Sequence, residues 1–191
     1  MSSYKALAFT LQVFLLLVVR LQSSMATIPP VLCPPPPPPS QPTMYVVYSP
    51  SITAANGTVP PNATRVPVAG IQGMPFNLKQ FGTVFVIDDN ITATPDPTTV
   101  IGVIQGTITV TSFDGSYIQF SVTFIFNSGP YANATLVVLG ATDGRLTTLT
   151  APVVGGTNAF LYATGFVTAE ILYSQGSLTL EKITIVYKIR P

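Results

Sequence analysis

The stretch Val100-Ile-Gly-Val-Ile-Gln-Gly-Thr-Ile-Thr-Val-Thr-Ser-Phe-Asp-Gly-Ser-Tyr-Ile-Gln-Phe-Ser-Val-Thr-Phe-Ile-Phe126 decides how the rest of the chain is read. At its centre, Asp114-Gly115 is a hairpin-turn pair, because a two-residue β-turn needs backbone angles that glycine reaches without strain. Beyond the turn, Tyr117, Gln119, Ser121 and Thr123 alternate with Ile118, Phe120, Val122 and Phe124. That is period two, with one apolar and one mixed face. The arm before the turn, residues 100–112, is equally rich in Val, Ile and Thr, and only Gly102 and Gly106 interrupt it. Two long β arms about a tight turn predict an antiparallel hairpin.

The same pattern extends outward. Residues 44–48 form a β run bounded by Ser49-Pro50, and residues 81–87 form another, stopped by Asp88-Asp89-Asn90. Residues 134–140, 159–172 and 178–189 supply more. In the last, Thr179, Glu181, Ile183, Ile185 and Tyr187 alternate with Leu180, Lys182, Thr184, Val186 and Lys188. No segment of the body keeps a 3.6-residue apolar period. Regular strands with hairpin turns predict an all-β antiparallel sandwich or barrel. A barrel is preferred, because closure hides strand edges that carry little charge. Gly102, Gly106, Gly140, Gly155 and Gly156 suit the bends closure requires. An immunoglobulin-like sandwich would lack its Cys–Trp–Cys core here.

Composition removes whole classes of chemistry. With 8 basic and 7 acidic side chains the net charge is +1, no footprint for nucleic acid or an anionic membrane. Histidine is absent, so no Ser-His-Asp or Cys-His site and no imidazole ligand exists. The single cysteine, Cys33, allows neither an intrachain disulfide nor a thiolate zinc cluster. No metal or cofactor is expected, and any chemistry falls to carboxylates, tyrosines, lysines or arginines.

Residues 1–26 read as a secretory signal. Lys5 provides a short positive start, residues 6–19 an apolar run too short to span a bilayer, and Ser24-Met25-Ala26 a small-residue cleavage site. Residues 27–43 form a proline-rich leader with six consecutive prolines, 34–39, an extended polyproline II segment. It serves either as a tether to cell-wall polymers or as a semi-rigid linker. Cys33 lies in this leader, outside the core, as an interchain partner or a free thiol. Behind a signal peptide, the sequons at Asn56, Asn62, Asn90 and Asn133 point to a glycosylated extracellular protein. The domain proper is residues 44–191.

Several motifs within it resemble plant dirigent proteins. They are Asn62-Ala-Thr-Arg-Val-Pro-Val-Ala-Gly70, Phe81-Gly-Thr-Val-Phe-Val-Ile-Asp-Asp89, Gly102-Val-Ile-Gln-Gly106, Tyr131-Ala-Asn-Ala-Thr-Leu-Val-Val-Leu-Gly140 and Pro152-Val-Val-Gly-Gly-Thr157. They recur in family order from residue 44 to the C-terminus. The resemblance implies an eight-stranded antiparallel β-barrel, assembled as a homodimer or homotrimer and secreted to the apoplast. It also implies a function. A separate laccase or peroxidase makes phenoxy radicals from monolignols such as coniferyl alcohol, and the barrel holds them so that coupling gives one regio- and stereochemical product. The physical warrant is orientation of two reactants, and the protein needs no oxidising centre of its own.

The resemblance makes Asp88, Asp89, Tyr131, Phe160 and Tyr162 the substrate-contact candidates, and it names no catalytic residue. Asp88 and Asp89 either sit near the cavity mouth or terminate a strand by bonding turn amides. Tyr131 either donates to a phenolic oxygen or packs at a strand start. The chain also departs from coupling members. Ala159 and Thr164 stand where they carry Asp and Arg, Tyr48-Ser49 replaces a His-Asp pair, and Val103 replaces an arginine. Acid-assisted ring closure loses its usual groups. Two alternatives therefore stand beside steering: a wall-structural or phenolic/terpenoid-binding barrel, and a cyclase like the similarly built allene oxide cyclases. Glu170, Glu181, Tyr162 and Tyr173 are spare polar groups for the latter.

Overall fold

The computed structural model describes residues 41–54 and 58–190. The signal peptide, all but the last three leader residues, Cys33 and the Asn56 sequon lie outside the described residues. The chain forms strands β1 (Thr43–Ile52), β2 (Arg65–Ala69), β3 (Val84–Thr92), β4 (Val100–Val110) and β5 (Tyr117–Phe126). Then follow β6 (Thr135–Asp143), β7 (Thr148–Gly156), β8 (Ala163–Gln175) and β9 (Leu178–Ile189). Single-turn 3-10 segments, Gly129–Tyr131 and Asn158–Phe160, precede β6 and β8.

The central hairpin forms where its sequence predicts, with β4 and β5 in unbroken register from Gly102↔Phe126 to Val110↔Ile118. Its turn is longer than two residues: Gly115 N–H donates to Ser112 O, so Phe113-Asp114 stand at the centre and Gly115, at φ +70°, follows them. Neighbouring strands run β1-β9-β8-β7-β6-β5-β4-β3, and β1 meets β3 where Tyr48 pairs with Thr92. That contact closes an eight-stranded antiparallel barrel. The short β2, which no period-two pattern marks, is a ninth strand outside the count of eight. It occupies the seam where β1 and β3 diverge. Ala54 N–H donates to the Arg65 carbonyl, Thr64 N–H to Ile52 O, and Asp88 N–H to Thr64 O, at 2.8–2.9 Å.

Two strands run through residues that read as stops. β1 continues past Ser49-Pro50 to Ile52. Donor direction alternates along a strand, and Ile52 turns its N–H towards Thr64 Oγ1 in the seam. Pro50 shares that parity, so its missing N–H falls where no ladder partner waits. β3 continues through Asp88-Asp89-Asn90, because alternation sends Asp88 and Asn90 outward and Asp89 inward. β7, hidden in Thr- and Gly-rich sequence, completes the ring beside β6 and β8.

Glycine permits two close crossings in the hairpin. A Cβ at Gly102 would strike the Ile125 carbonyl, and one at Gly106, where φ is +148°, the Ser121 carbonyl. The inward faces build one core, in which Phe85, Ile91, Phe126, Leu136, Phe160 and Ile185 are fully buried.

Candidate functional site

The two halves of the barrel interior differ. One end is plugged by rings. Tyr131 packs on Phe160 at 4.9 Å between centroids and on Tyr45 at 4.7 Å, and Phe160 packs on Tyr187 at 5.0 Å. Edge-on and tilted aromatic contacts of this kind are each worth about 0.5–1.5 kcal/mol beyond the area they bury. The Tyr187 hydroxyl donates to Tyr131 Oη at 3.0 Å. Burial, reinforced by that bond, pushes the Tyr187 phenol up to about 12.

The other half holds a cavity of about 210 Å³. Its wall is aliphatic and aromatic, from Ile104, Ile108, Phe120, Phe124, Val167 and Ile183, with Leu78 and Leu146 at the barrel end. Its charged lining residues are Arg65, Asp89 and Glu181. A small polar group in an apolar concavity is the usual build of a ligand site.

These three residues form one network. Arg65 Nε–H donates to Asp89 Oδ2 at 2.7 Å. Its Nη1 and Nη2 donate to the two Glu181 oxygens at 3.1 and 2.9 Å, a bidentate fork. Thr64 Oγ1 accepts from Ile52 N–H and donates to Asp89 Oδ1 at 2.5 Å. Asp89 is 0% exposed and Arg65 9%. Burial raises the Asp89 carboxyl above the usual range, outweighing the downward pull of Arg65 and Thr64. Burial would lower the Arg65 guanidinium, but Glu181 and Asp89 together hold it above its ordinary value.

The fold puts them there by parity and seam geometry. Asp89 occupies an inward position of β3, Glu181 an inward position of β9, and Arg65 opens β2 in the seam between. Ser49 lies opposite Glu181 and Ser51 opposite Thr179, both fully buried on the inward face of β1. Neither hydroxyl has a hydrogen-bond partner among the described residues.

The substrate-contact candidates are split. Asp89 lines the cavity, while its neighbour Asp88 points outward and accepts from Gln105 Nε2 at 3.1 Å. Tyr131 and Phe160 belong to the aromatic plug, away from the cavity lining. Tyr162 is 68% exposed and sits at φ +60° on the rim before β8. Ala159 is exposed, and Thr164 is placed on the outward side of β8 opposite exposed Lys188, so neither lines the cavity. Sequence reasoning missed Arg65, and it offered Glu181 only as a spare group. One signal was present: Asp89 continues the inward series Phe85, Ile87 and Ile91 of β3. A carboxylate on an apolar inward face requires a buried cation.

The comparisons agree with this architecture. Residues 43–189 match the model of the family described as dirigent-like protein. Dirigent protein 23 of Arabidopsis thaliana is 31% identical over 110 residues, covering 57% of this chain and 59% of that protein. Pterocarpan synthase 1 of Glycyrrhiza echinata is 32% identical over 116 residues, covering 58% and 60%. The aligned stretch thus spans less than two thirds of either relative. A solved pterocarpan synthase dirigent protein superposes with a TM-score of 0.68 at 25% identity, over 81% of this chain and 99% of that one. With a family match running from the first residue of β1 to the last of β9, on a closed barrel that a solved dirigent protein shares, the chain belongs to the dirigent-like protein family.

Proposed function

We propose that this chain is an exported, glycosylated dirigent protein. It holds phenoxy radicals made by a separate laccase or peroxidase in the apoplast and directs the regio- and stereochemistry of their coupling. One observation carries the proposal: a closed barrel whose largely apolar cavity holds a single fixed ionic cluster flanked by Thr53 and Thr179. Such a cavity buries an aromatic ring and orients its oxygen substituents, so it limits which radical faces meet. The family match and the name of the Arabidopsis relative support a dirigent-type function. Asn62, Asn90 and Asn133 all lie exposed, as glycan acceptors require. A row of apolar side chains, Met44, Val186, Phe166 and Pro152, crosses the outer wall from β1 to β7 and offers further copies of the chain a surface in a dimer or trimer.

The test is coupling of coniferyl alcohol by a laccase, with and without the protein, followed by chiral chromatography. Enantiomeric excess that rises with protein concentration is the expected outcome. Racemic product at saturating protein overturns the proposal.

A second function is favoured by Asp89, a carboxyl in the cavity lining whose affinity for a proton is raised by burial. In it the barrel assists a ring closure without any oxidase; a relative of this chain bears the name pterocarpan synthase. Cyclised product from a pterocarpan precursor in oxidase-free incubation distinguishes it from radical steering.

A further inference from the structure

Among the described residues, Arg65 faces two carboxylates and no second cation shares them. The ion pairs of Asp89 and Glu181 among the described residues both go to Arg65. Lys182, next to Glu181 in sequence, alternates outward and meets Glu170 at 3.9 Å on the surface. A guanidinium stays charged at every accessible pH. The network therefore carries one net negative charge when both carboxylates are ionised, and none when it holds a proton. It becomes positive only when both are protonated. Three of the five Arg65 N–H groups are already spent on these carboxylates. Beside them, Thr53 and Thr179 complete the polar lining of the cavity. The polar corner of the cavity thus offers carboxylate lone pairs and threonine hydroxyls, but no net positive charge.

We propose that this cluster makes the cavity selective by charge. It accepts neutral phenylpropanoids whose hydroxyls donate to it and excludes their carboxylate forms, and Glu181 is the residue that sets the preference. The proposal rests on the phenolic-binding function above and adds a discrimination within that class. A ligand carboxylate placed a few ångströms from Glu181 and Asp89, in a wall of low polarity, meets like charge that water cannot screen. An alcohol or ester of the same skeleton does not. A barrel that chose instead by shape would treat all three alike.

Isothermal titration calorimetry of the full mature chain with three probes sharing one ring system tests this: coniferyl alcohol, methyl ferulate and ferulate. At about pH 6.5 only the last is ionised. The expected result is comparable affinity for alcohol and ester, with ferulate weaker by roughly tenfold or more. Ferulate binding as tightly as the ester overturns the proposal. Binding of none of the three overturns the phenolic-binding function itself, a result distinct from loss of discrimination. Glu181→Gln removes one negative charge while keeping an acceptor for Arg65, and it narrows the ester-to-ferulate gap. An unchanged gap in a folded Glu181→Gln protein shows that Glu181 does not set it. The wild-type comparison decides the charge preference even if that variant does not fold.

Discussion

At the residue scale, Arg65 ties Asp89 of β3 to Glu181 of β9, a link that no strand pattern highlights. Replacing Arg65 with Met leaves Asp89 and Glu181 as uncompensated carboxylates at the barrel wall. The expected loss is about 3–5 kcal/mol, since breaking a buried ion pair strands its partner, and urea denaturation measures it. Asp88→Asn, one position away on the exposed face, changes stability by no more than about 0.5 kcal/mol in the same experiment. The carboxylates also give stability opposite slopes with pH. Asp114 accepts from the Ser116 hydroxyl and amide in the hairpin turn, which hold its carboxyl down at about 2. Its contribution is present above the ordinary carboxylate value of about 4 and is lost as pH falls towards about 2. Asp89, raised by burial, does the reverse. Its proton is favoured by folding, so its contribution is held at low pH and is lost as pH rises through its native value. Stability profiles of Asp114→Asn and Asp89→Asn should each lack the corresponding slope.

At the scale of elements, the β4–β5 hairpin and the aromatic plug do different jobs. Gly106→Ala drives a methyl into the Ser121 carbonyl at a backbone angle that side chains avoid. A loss of roughly 2–4 kcal/mol follows from overpacking plus strain, read as a lower midpoint in thermal unfolding. In the plug, Phe160→Ala should cost about 3–5 kcal/mol, as large-to-small changes at fully buried aromatics do. Tyr131→Phe removes one hydroxyl pair with Tyr187, worth about 1 kcal/mol. Neither residue lines the cavity, so in a folded variant the affinity for coniferyl alcohol stays at the wild-type value. A marked fall for Tyr131→Phe would place ligand at the plug instead.

At the scale of the molecule, the sequons sort the outer surface. Asn90 lies on the outside of β3, Asn133 at the aromatic end and Asn62 beside the seam. The apolar row on β1, β9, β8 and β7 carries none of them. Expression in plant cells should therefore yield glycans at Asn62, Asn90 and Asn133, each removed singly by Asn→Gln and seen as a stepwise mass loss. If a second copy docks on this wall, as proposed above, those variants leave the oligomeric state in analytical ultracentrifugation unchanged.

Much of the barrel is legible in the chain. Period two is a property of neighbouring residues, so Tyr117–Phe126 and Leu178–Ile189 declare themselves strands, and Asp114-Gly115 marks the place of the β4–β5 turn though not its length. Pro50 and Asp88-Asp89 read as stops because their local preferences oppose a strand. Only the open seam and the buried guanidinium reverse that preference. The dirigent motifs likewise carry family membership in linear order. What sequence cannot hold is the meeting of Arg65 with Asp89, 24 positions away, and with Glu181, 116 positions away. Local periodicity determines which residues share a face. Closure of the ring determines which faces meet, and with them the ionic cluster, the cavity beside it and the retirement of Tyr131 and Phe160 into a plug. Those contacts join strands whose register is set by the whole barrel, so the tertiary structure alone decided them.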